Sequence, residues 1–231
     1  MSIAENLAEI EARIAAACLR AGRQRESVLL LPVSKGHSAE AVEEAADLGL
    51  RIFAESKVQE ARVKIPLCSS RLQWQMIGHL QSNKARDAVQ LFSMIQSIDS
   101  IGLAEEVNKW AEKFSRRVPI LLEVNTAGEA SKFGFSPENL PVQEINQFPR
   151  LELQGLMTIA PYSATPERVR PYFKRLRELR DQCSEIIGAP LQHLSMGMSG
   201  DFEVAIEEGA TIVRIGTALF GQRSYAAKKT A

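Results

Sequence analysis

The chain has 231 residues, 45% of them hydrophobic and 24% charged, which suits one large globular unit with an ample core. Its 28 basic and 28 acidic residues balance, so no net field draws it to nucleic acid or to an acidic membrane. Three scattered cysteines without a CxxC pattern indicate reduced thiols, and the N-terminus lacks the basic region of a signal peptide. We therefore expect a soluble, cytoplasmic protein with a single domain over residues 1–231.

The first predicted elements are a helix and a buried strand. Ser2 and Glu5 form a capping-box pattern that opens a helix over about residues 2–22, and Gly22 ends it. Residues 28–35 (VLLLPVSK) are a near-continuous apolar run, typical of a strand buried on both faces of a parallel sheet. Pro32 lacks the ladder donor that an interior strand needs, which predicts a bulge.

Short apolar runs then alternate with helical patterns along the rest of the chain. Further strands are predicted at 50–54, 72–77, 91–95, 118–124, 151–157, 191–194 and 211–215. Helices are predicted between Ser38 and Gly49 and at 57–64, 81–89, 102–114, 137–148, 166–187, 202–208 and 217–220.

Eight strands alternating with helices predict parallel βα units joined by right-handed crossovers, and eight such units close a barrel. The alternative is an open doubly wound sheet, but the GxGxxG loop expected after its first strand is absent. We therefore predict an α/β fold, a single (β/α)8 TIM barrel with an extra N-terminal helix and no second β domain. The tail from about residue 222 is expected to be frayed.

Two cations follow neighbouring strands of this barrel. Lys35 ends the first strand and Arg214 lies in the eighth, and closure of the barrel brings these strands side by side. Two adjacent cations favour an anion between them. A lysine at a strand end is partly desolvated, which makes its amine a nucleophile toward carbonyls.

The loops after the seventh and eighth strands, residues 195–200 (SMGMSG) and 216–217, are rich in small residues and lead into helices. Backbone N–H groups at such positions bind phosphate, and barrels often build their phosphate site there. An amine, an arginine and a phosphate cradle around one mouth indicate a phosphorylated carbonyl compound. Pyridoxal 5′-phosphate (PLP), held as a Schiff base on Lys35, fits; a sugar phosphate handled by a lysine aldolase fits almost as well.

The histidines have no metal-ligand spacing, so no metal site is expected. His79 lies at a strand end, where it either lines the pocket or has a cap or packing role.

Several blocks of sequence, in order along almost the whole chain, resemble one family. They are VSK (33–35), FAESKVQE (53–60), IGHLQSNK (77–84), GLMT (155–158), LSMGMS (194–199) and RIGTALFG (214–221). The chain is similar to the PLP-binding homeostasis proteins, which have the fold of the N-terminal barrel of alanine racemase.

The resemblance implies that Lys35 carries PLP, that the loops at 195–199 and 216–217 contact its phosphate and that Arg214 faces the pyridine nitrogen. The cofactor-binding residues expected on this basis are Lys35, Ser56, Met157, Ser195, Ser199, Arg214, Gly216 and Thr217. The chain departs from the family pattern at Ser56, where the family usually has asparagine, and at Gly36-His37, where Thr-Lys is usual.

The family resemblance favours a non-catalytic protein that holds, buffers or delivers PLP, acting in vitamin B6 homeostasis. The expected partners are PLP and either PLP-dependent enzymes that lack their cofactor or a regulatory protein; we expect a monomer. The alternatives are an amino-acid racemase and a lysine aldolase. The racemases of this fold take a second base from a tyrosine in another, β-rich domain, for which we expect no counterpart among Tyr162, Tyr172 and Tyr225.

Overall fold

The computed structural model describes residues 2–129 and 132–222. Its eight strands are β1 (Leu29–Pro32), β2 (Ile52–Glu55), β3 (Gln73–Met76), β4 (Met94–Ile98), β5 (Val118–Glu123), β6 (Leu151–Met157), β7 (His193–Ser195) and β8 (Ile212–Ile215). All strands of the described residues belong to one parallel sheet, ordered β1-β8-β7-β6-β5-β4-β3-β2. The tail that the sequence predicts to be frayed lies, from residue 223, outside the described residues.

The sheet closes on itself between β1 and β2. Val33 forms a parallel bridge with Ala54, and the N–H of Ser34 donates to the Ala54 carbonyl at 3.1 Å. This closure confirms the predicted (β/α)8 barrel, in which neither β1 nor β2 is left as an open edge.

Pro32 is accommodated without the bulge that the sequence predicts. The N–H groups of Leu29 and Val33 donate to β8, so by the two-residue period the nitrogen of Pro32 faces β2 instead. Pairing with β2 begins just beyond the proline, at Val33 and Ser34, while the register with β8 is uninterrupted. The missing donor therefore interrupts no ladder.

The helices are α1 (Ile3–Arg20), α2 (Ala39–Asp47), α3 (Val58–Lys64), α4 (Ala85–Leu91), α5 (Ile101–Lys113), α6 (Val142–Asn146), α7 (Arg170–Ile187), α8 (Phe202–Glu207) and α9 (Thr217–Phe220). The capping box of α1 is formed, since the Glu5 N–H donates to Ser2 Oγ at 3.2 Å and the Ser2 N–H donates to Glu5 Oε2 at 2.7 Å. This extra helix packs against α8 and α9, and Asn6 Nδ2 donates to the Leu219 carbonyl at 2.9 Å. No helix in the described ranges is long and apolar enough to cross a membrane.

Several predicted bounds are shifted, and in two elements the shift has a clear physical reason. The fourth strand is Met94–Ile98 rather than 91–95, because Leu91 completes the last turn of α4. The helix expected at 137–148 is only Val142–Asn146. A helix starting at 137 would place Pro141 where an interior N–H is needed, and proline has none.

The core has two layers. One lies between the helices and the outside of the barrel, with Phe53, Phe92, Phe173 and Phe202 fully buried in it. The other fills the barrel interior with Leu31, Val33, Ala54, Ile77, Met94, Leu121, Met157 and Ile212. Because side chains fill the interior, a ligand site must sit above them, at an end of the barrel.

Candidate functional site at the carboxyl end of the strands

A cavity of about 790 Å³ opens at the carboxyl end of the strands. Six of the eight residues expected to bind the cofactor line it: Lys35, Ser56, Ser199, Arg214, Gly216 and Thr217. The other two, Met157 and Ser195, are fully buried and do not line it: Met157 belongs to the interior core, and Ser195 contacts Arg214. One cavity thus collects residues that are far apart along the chain.

Lys35 is presented to the cavity by a tight turn after β1. The His37 N–H donates to the Ser34 carbonyl at 3.0 Å, which places Lys35 and Gly36 at the two central positions. Gly36 has φ +75°, the left-handed value that the third residue of a type II turn requires. The turn leaves Lys35 half-buried at the cavity wall.

Behind this turn lies a buried ion network. The Lys64 ammonium, at the end of α3, lies 2.5 Å from Glu55 Oε1 and 2.8 Å from Glu60 Oε1. Glu55 also accepts from Ser34 Oγ at 2.7 Å. Burial raises the pKa of Glu55, although its hydrogen bond with Lys64 acts in the opposite direction.

Arg214, on β8, is held by a second network that crosses the barrel. Its Nη1 donates to Ser195 Oγ at 2.8 Å and its Nη2 to the Thr158 carbonyl at 2.8 Å. Ser195 Oγ donates to Gln96 Oε1 at 2.6 Å, and Gln96 Nε2 donates to Gln75 Oε1 at 2.5 Å. Burial lowers the pKa of Arg214 to about 10, so the guanidinium is still a cation at neutral pH.

The loops after β7 and β8 form an anion cradle. Within the described residues, the backbone N–H groups of Ser199, Gly200, Gly216 and Thr217 donate to no protein acceptor. Ser199 Oγ ties the two loops together by accepting from the Ala218 N–H at 3.3 Å. Unpaired N–H groups gathered at one wall of a cavity suit the oxygens of a phosphate.

Glycine 197 allows the first of these loops to pack closely. It has φ +90°, and a Cβ added there would lie 2.5 Å from the Ala205 side chain. The loop is fixed further by Asp201, whose Oδ1 accepts from the Met198 N–H at 2.6 Å.

A histidine lines the cavity after β3, with two carboxyl groups behind it. His79 lines the cavity, its Nδ1 lies 2.7 Å from Asp99 Oδ2, and its ring stacks on Phe133 with centroids 3.7 Å apart. Of the roles that the sequence leaves open for His79, the structure therefore shows both the pocket-lining one and a packing contact. Burial raises the pKa of the nearby Glu123 to about 7, and the negative charge of Asp99 is the second cause of this increase.

Sequence reasoning missed the residues that support Lys35 and Arg214. Lys64 lies in a helix, and Gln75 and Gln96 lie in strands. None of them belongs to a strand end, a loop or a sequence motif, which are the features that the sequence analysis used to find site residues. A polar residue in the middle of a strand buried on both faces is the signal that could have found the two glutamines. No cluster of three possible metal-ligating side chains occurs in the described part of the chain.

A closed parallel barrel with a lysine, an arginine and unpaired backbone N–H groups at one mouth is the arrangement of a protein suited to phosphorylated carbonyl compounds. Residues 5–224 match the family of the alanine racemase N-terminal domain. The pyridoxal phosphate homeostasis protein of Aquifex aeolicus is 46% identical over 228 residues, which cover 97% of this chain and 100% of the relative. The chain therefore belongs to the family of pyridoxal phosphate homeostasis proteins.

Solved structures agree with this family. PipY of Synechococcus elongatus PCC7942, with PLP bound, superposes with a TM-score of 0.83 at 36% identity, covering 95% of this chain and 100% of that one. Alanine racemase of Clostridium difficile 630 superposes with a TM-score of 0.72 at 16% identity, covering 96% of this chain but 56% of the racemase. The second likeness shows the shared barrel fold alone.

Proposed function

We propose that this protein binds PLP as a Schiff base on Lys35 and holds, buffers and delivers it, without catalysing a reaction of its own. The observation that carries the proposal is that one cavity contains both a lysine and four unpaired backbone N–H groups suited to a phosphate. PLP supplies an aldehyde for the lysine and a ring that can withdraw electrons from a substrate. The relatives' name and the PLP bound to PipY support the same ligand.

Each wall of the cavity has its own role in this proposal. The loops at 195–200 and 216–217 hold the phosphate through backbone N–H groups and the hydroxyls of Ser199 and Thr217. Arg214 faces the pyridine nitrogen. Because its guanidinium is cationic, it disfavours a proton on that nitrogen and weakens the ring as an electron sink. A weak sink suits a carrier better than an enzyme.

The acid–base groups also favour a carrier. Racemisation needs a base on each face of the substrate carbon. Lys35 can supply one base. The other comes from a tyrosine in racemases, and among the described residues only one tyrosine, Tyr162, lines the cavity. Tyr162 is 97% exposed, so its side chain is not packed against the described protein as a positioned base would be. Tyr172 lies in α7, packed against the outer core, and Tyr225 lies outside the described residues.

The proposal extends to partners and location. We propose that the protein is a monomer located in the cytoplasm. Its protein partners are PLP-dependent enzymes that lack their cofactor and receive PLP from it, or a regulatory protein that binds it. The free state of Cys18, Cys68 and Cys183 is in line with a reducing compartment. The balance of basic and acidic residues is in line with partners other than nucleic acid or membranes.

The test is to incubate the PLP-loaded protein with L-alanine in deuterium oxide and follow Cα exchange and the D-isomer. A parallel sample receives a PLP-dependent aminotransferase stripped of cofactor, whose recovered activity reports delivery. We expect delivery without exchange. Exchange at about one turnover per second or faster, lost in Lys35→Ala, would contradict the carrier proposal in favour of a racemase-type enzyme.

A further inference from the structure

The ion network behind Lys35 contacts the backbone of the turn that carries it. The Lys64 ammonium donates to the Ser34 carbonyl at 2.7 Å, in addition to its two carboxylate partners. Glu60 Oε1, which also contacts Lys64, accepts from the Gly36 N–H at 2.6 Å. The peptide groups on both sides of Lys35 are therefore held by side chains of α3.

These contacts complete the hydrogen bonding that the turn itself leaves open. The closing bond of the turn uses the Ser34 carbonyl and the His37 N–H, and the N–H at its third position has no acceptor within the turn. That third residue is Gly36, and Glu60 supplies the acceptor. Lys64 fills the second acceptor site of the Ser34 carbonyl, so both ends of the turn are fixed.

The network is costly for a purely structural element. Lys64 is 6% exposed and Glu55 is fully buried, and Glu55 Oε2 has no hydrogen-bond partner in the described residues. A well-packed apolar pair of similar volume stabilises a fold as well as a buried ion pair does, or better. What an apolar pair would not supply is a donor for the Ser34 carbonyl and an acceptor for the Gly36 N–H.

We propose that Lys64 and Glu60 are positioning residues for Lys35: by holding the two peptide groups beside it, they direct its amine to the point where the aldehyde of PLP lies. This inference deepens the proposed function and rests on it. The two residues act on the covalent step through the backbone, since neither lines the cavity and neither belongs to the loops of the phosphate cradle.

Two ligands separate positioning from general binding. PLP has the aldehyde that Lys35 attacks, whereas pyridoxine 5′-phosphate has an alcohol there and reports only the ring and phosphate contacts. We expect Glu60→Ala to weaken PLP binding about tenfold and to leave pyridoxine 5′-phosphate binding unchanged. Glu60→Gln should recover most of the loss, because its amide oxygen still accepts from Gly36. Lys64→Met should weaken PLP binding more than Glu60→Ala does.

Controls keep these outcomes distinct. Arg62→Ala, on the same helix, removes an exposed ion pair with Asp87 and should change neither affinity. Thermal unfolding of each variant reports folding, and Glu60, being partly exposed, is the safer site if Lys64→Met does not fold. Equal losses for both ligands, or no rescue by Glu60→Gln, would overturn the positioning role. If the unmodified protein itself formed no reducible adduct at Lys35, the proposed function would fail instead.

Discussion

Two polar networks lie beneath the mouth of the barrel, and they differ in whether the positive charge at their centre is paired with carboxylates. Behind Lys35, the ammonium of Lys64 contacts two carboxylates, so its charge is neutralised within the protein. Across the barrel, the hydrogen bonds of Arg214 go to a hydroxyl and a backbone carbonyl, which carry no charge. The first network fixes a backbone, whereas the second fixes a cation and leaves its charge for a ligand.

The charge of Arg214 is neutralised only to the extent that Glu123 is ionised. Among the described groups it is the carboxylate with the strongest effect on the pKa of Arg214, yet burial raises its own pKa to about 7. Near neutral pH a substantial share of Glu123 is therefore protonated. The charge of Arg214 is then available to a bound anion or ring nitrogen.

The largest predicted effect is accordingly the pH dependence of Glu123→Gln. The unfolded carboxyl ionises near pH 4.5, while the folded one stays protonated until about pH 7. The contribution of Glu123 to stability is therefore lost as pH rises from 4.5 to 7, by an amount approaching about 3 kcal/mol, and this loss levels off above pH 7.

Glu123→Gln removes this loss. The free energy of unfolding of the variant should therefore increase relative to that of the unmodified protein between pH 4 and pH 8. Urea unfolding of the ligand-free proteins at several pH values measures the difference. Two curves that stay parallel over this range would show that Glu123 ionises normally and does neutralise Arg214.

A smaller effect is predicted for the two glutamines through which the Arg214 network crosses the barrel. Gln96→Leu should cost about 1–3 kcal/mol, because it leaves Ser195 without its acceptor and Gln75 without its donor. The double variant Gln75→Leu/Gln96→Leu should cost less than the sum of the two single changes, since the second substitution removes a group that the first left unpaired.

Urea unfolding of the two single variants and the double variant measures this coupling. Strictly additive costs would mean that the two glutamines do not act as one hydrogen-bonded chain.

The fold was largely readable from the sequence, because apolar periodicity is local. The apolar run at 151–157 predicts β6 at its observed bounds, and the Ser2–Glu5 pair marks the start of α1. The shift of β4 arose where a helix end and a strand are both apolar, around Leu91. The short α6 follows from Pro141, whose effect depends on its position in the helix.

The sequence predicted only those site residues that lie at or near the end of a strand. Lys35, Arg214 and the glycine-rich loops follow apolar runs, so the barrel topology brings them to one mouth. Lys64 contacts Ser34 across 30 residues of sequence, and Gln96 contacts Ser195 across 99. Such contacts depend on the registers of non-adjacent elements, which local patterns do not determine.

The central claim is that Lys35, and no other amine of the cavity, carries PLP. Lys57 and Lys132 line the same cavity and compete as amines. The direct measurement is reduction of the PLP-loaded protein with borohydride, followed by mass-spectrometric mapping of the labelled peptide. We predict the label on Lys35, and its loss in a Lys35→Ala protein that still binds pyridoxine 5′-phosphate. Label on Lys57 or Lys132 in the unmodified protein, or undiminished labelling of Lys35→Ala, would contradict the account.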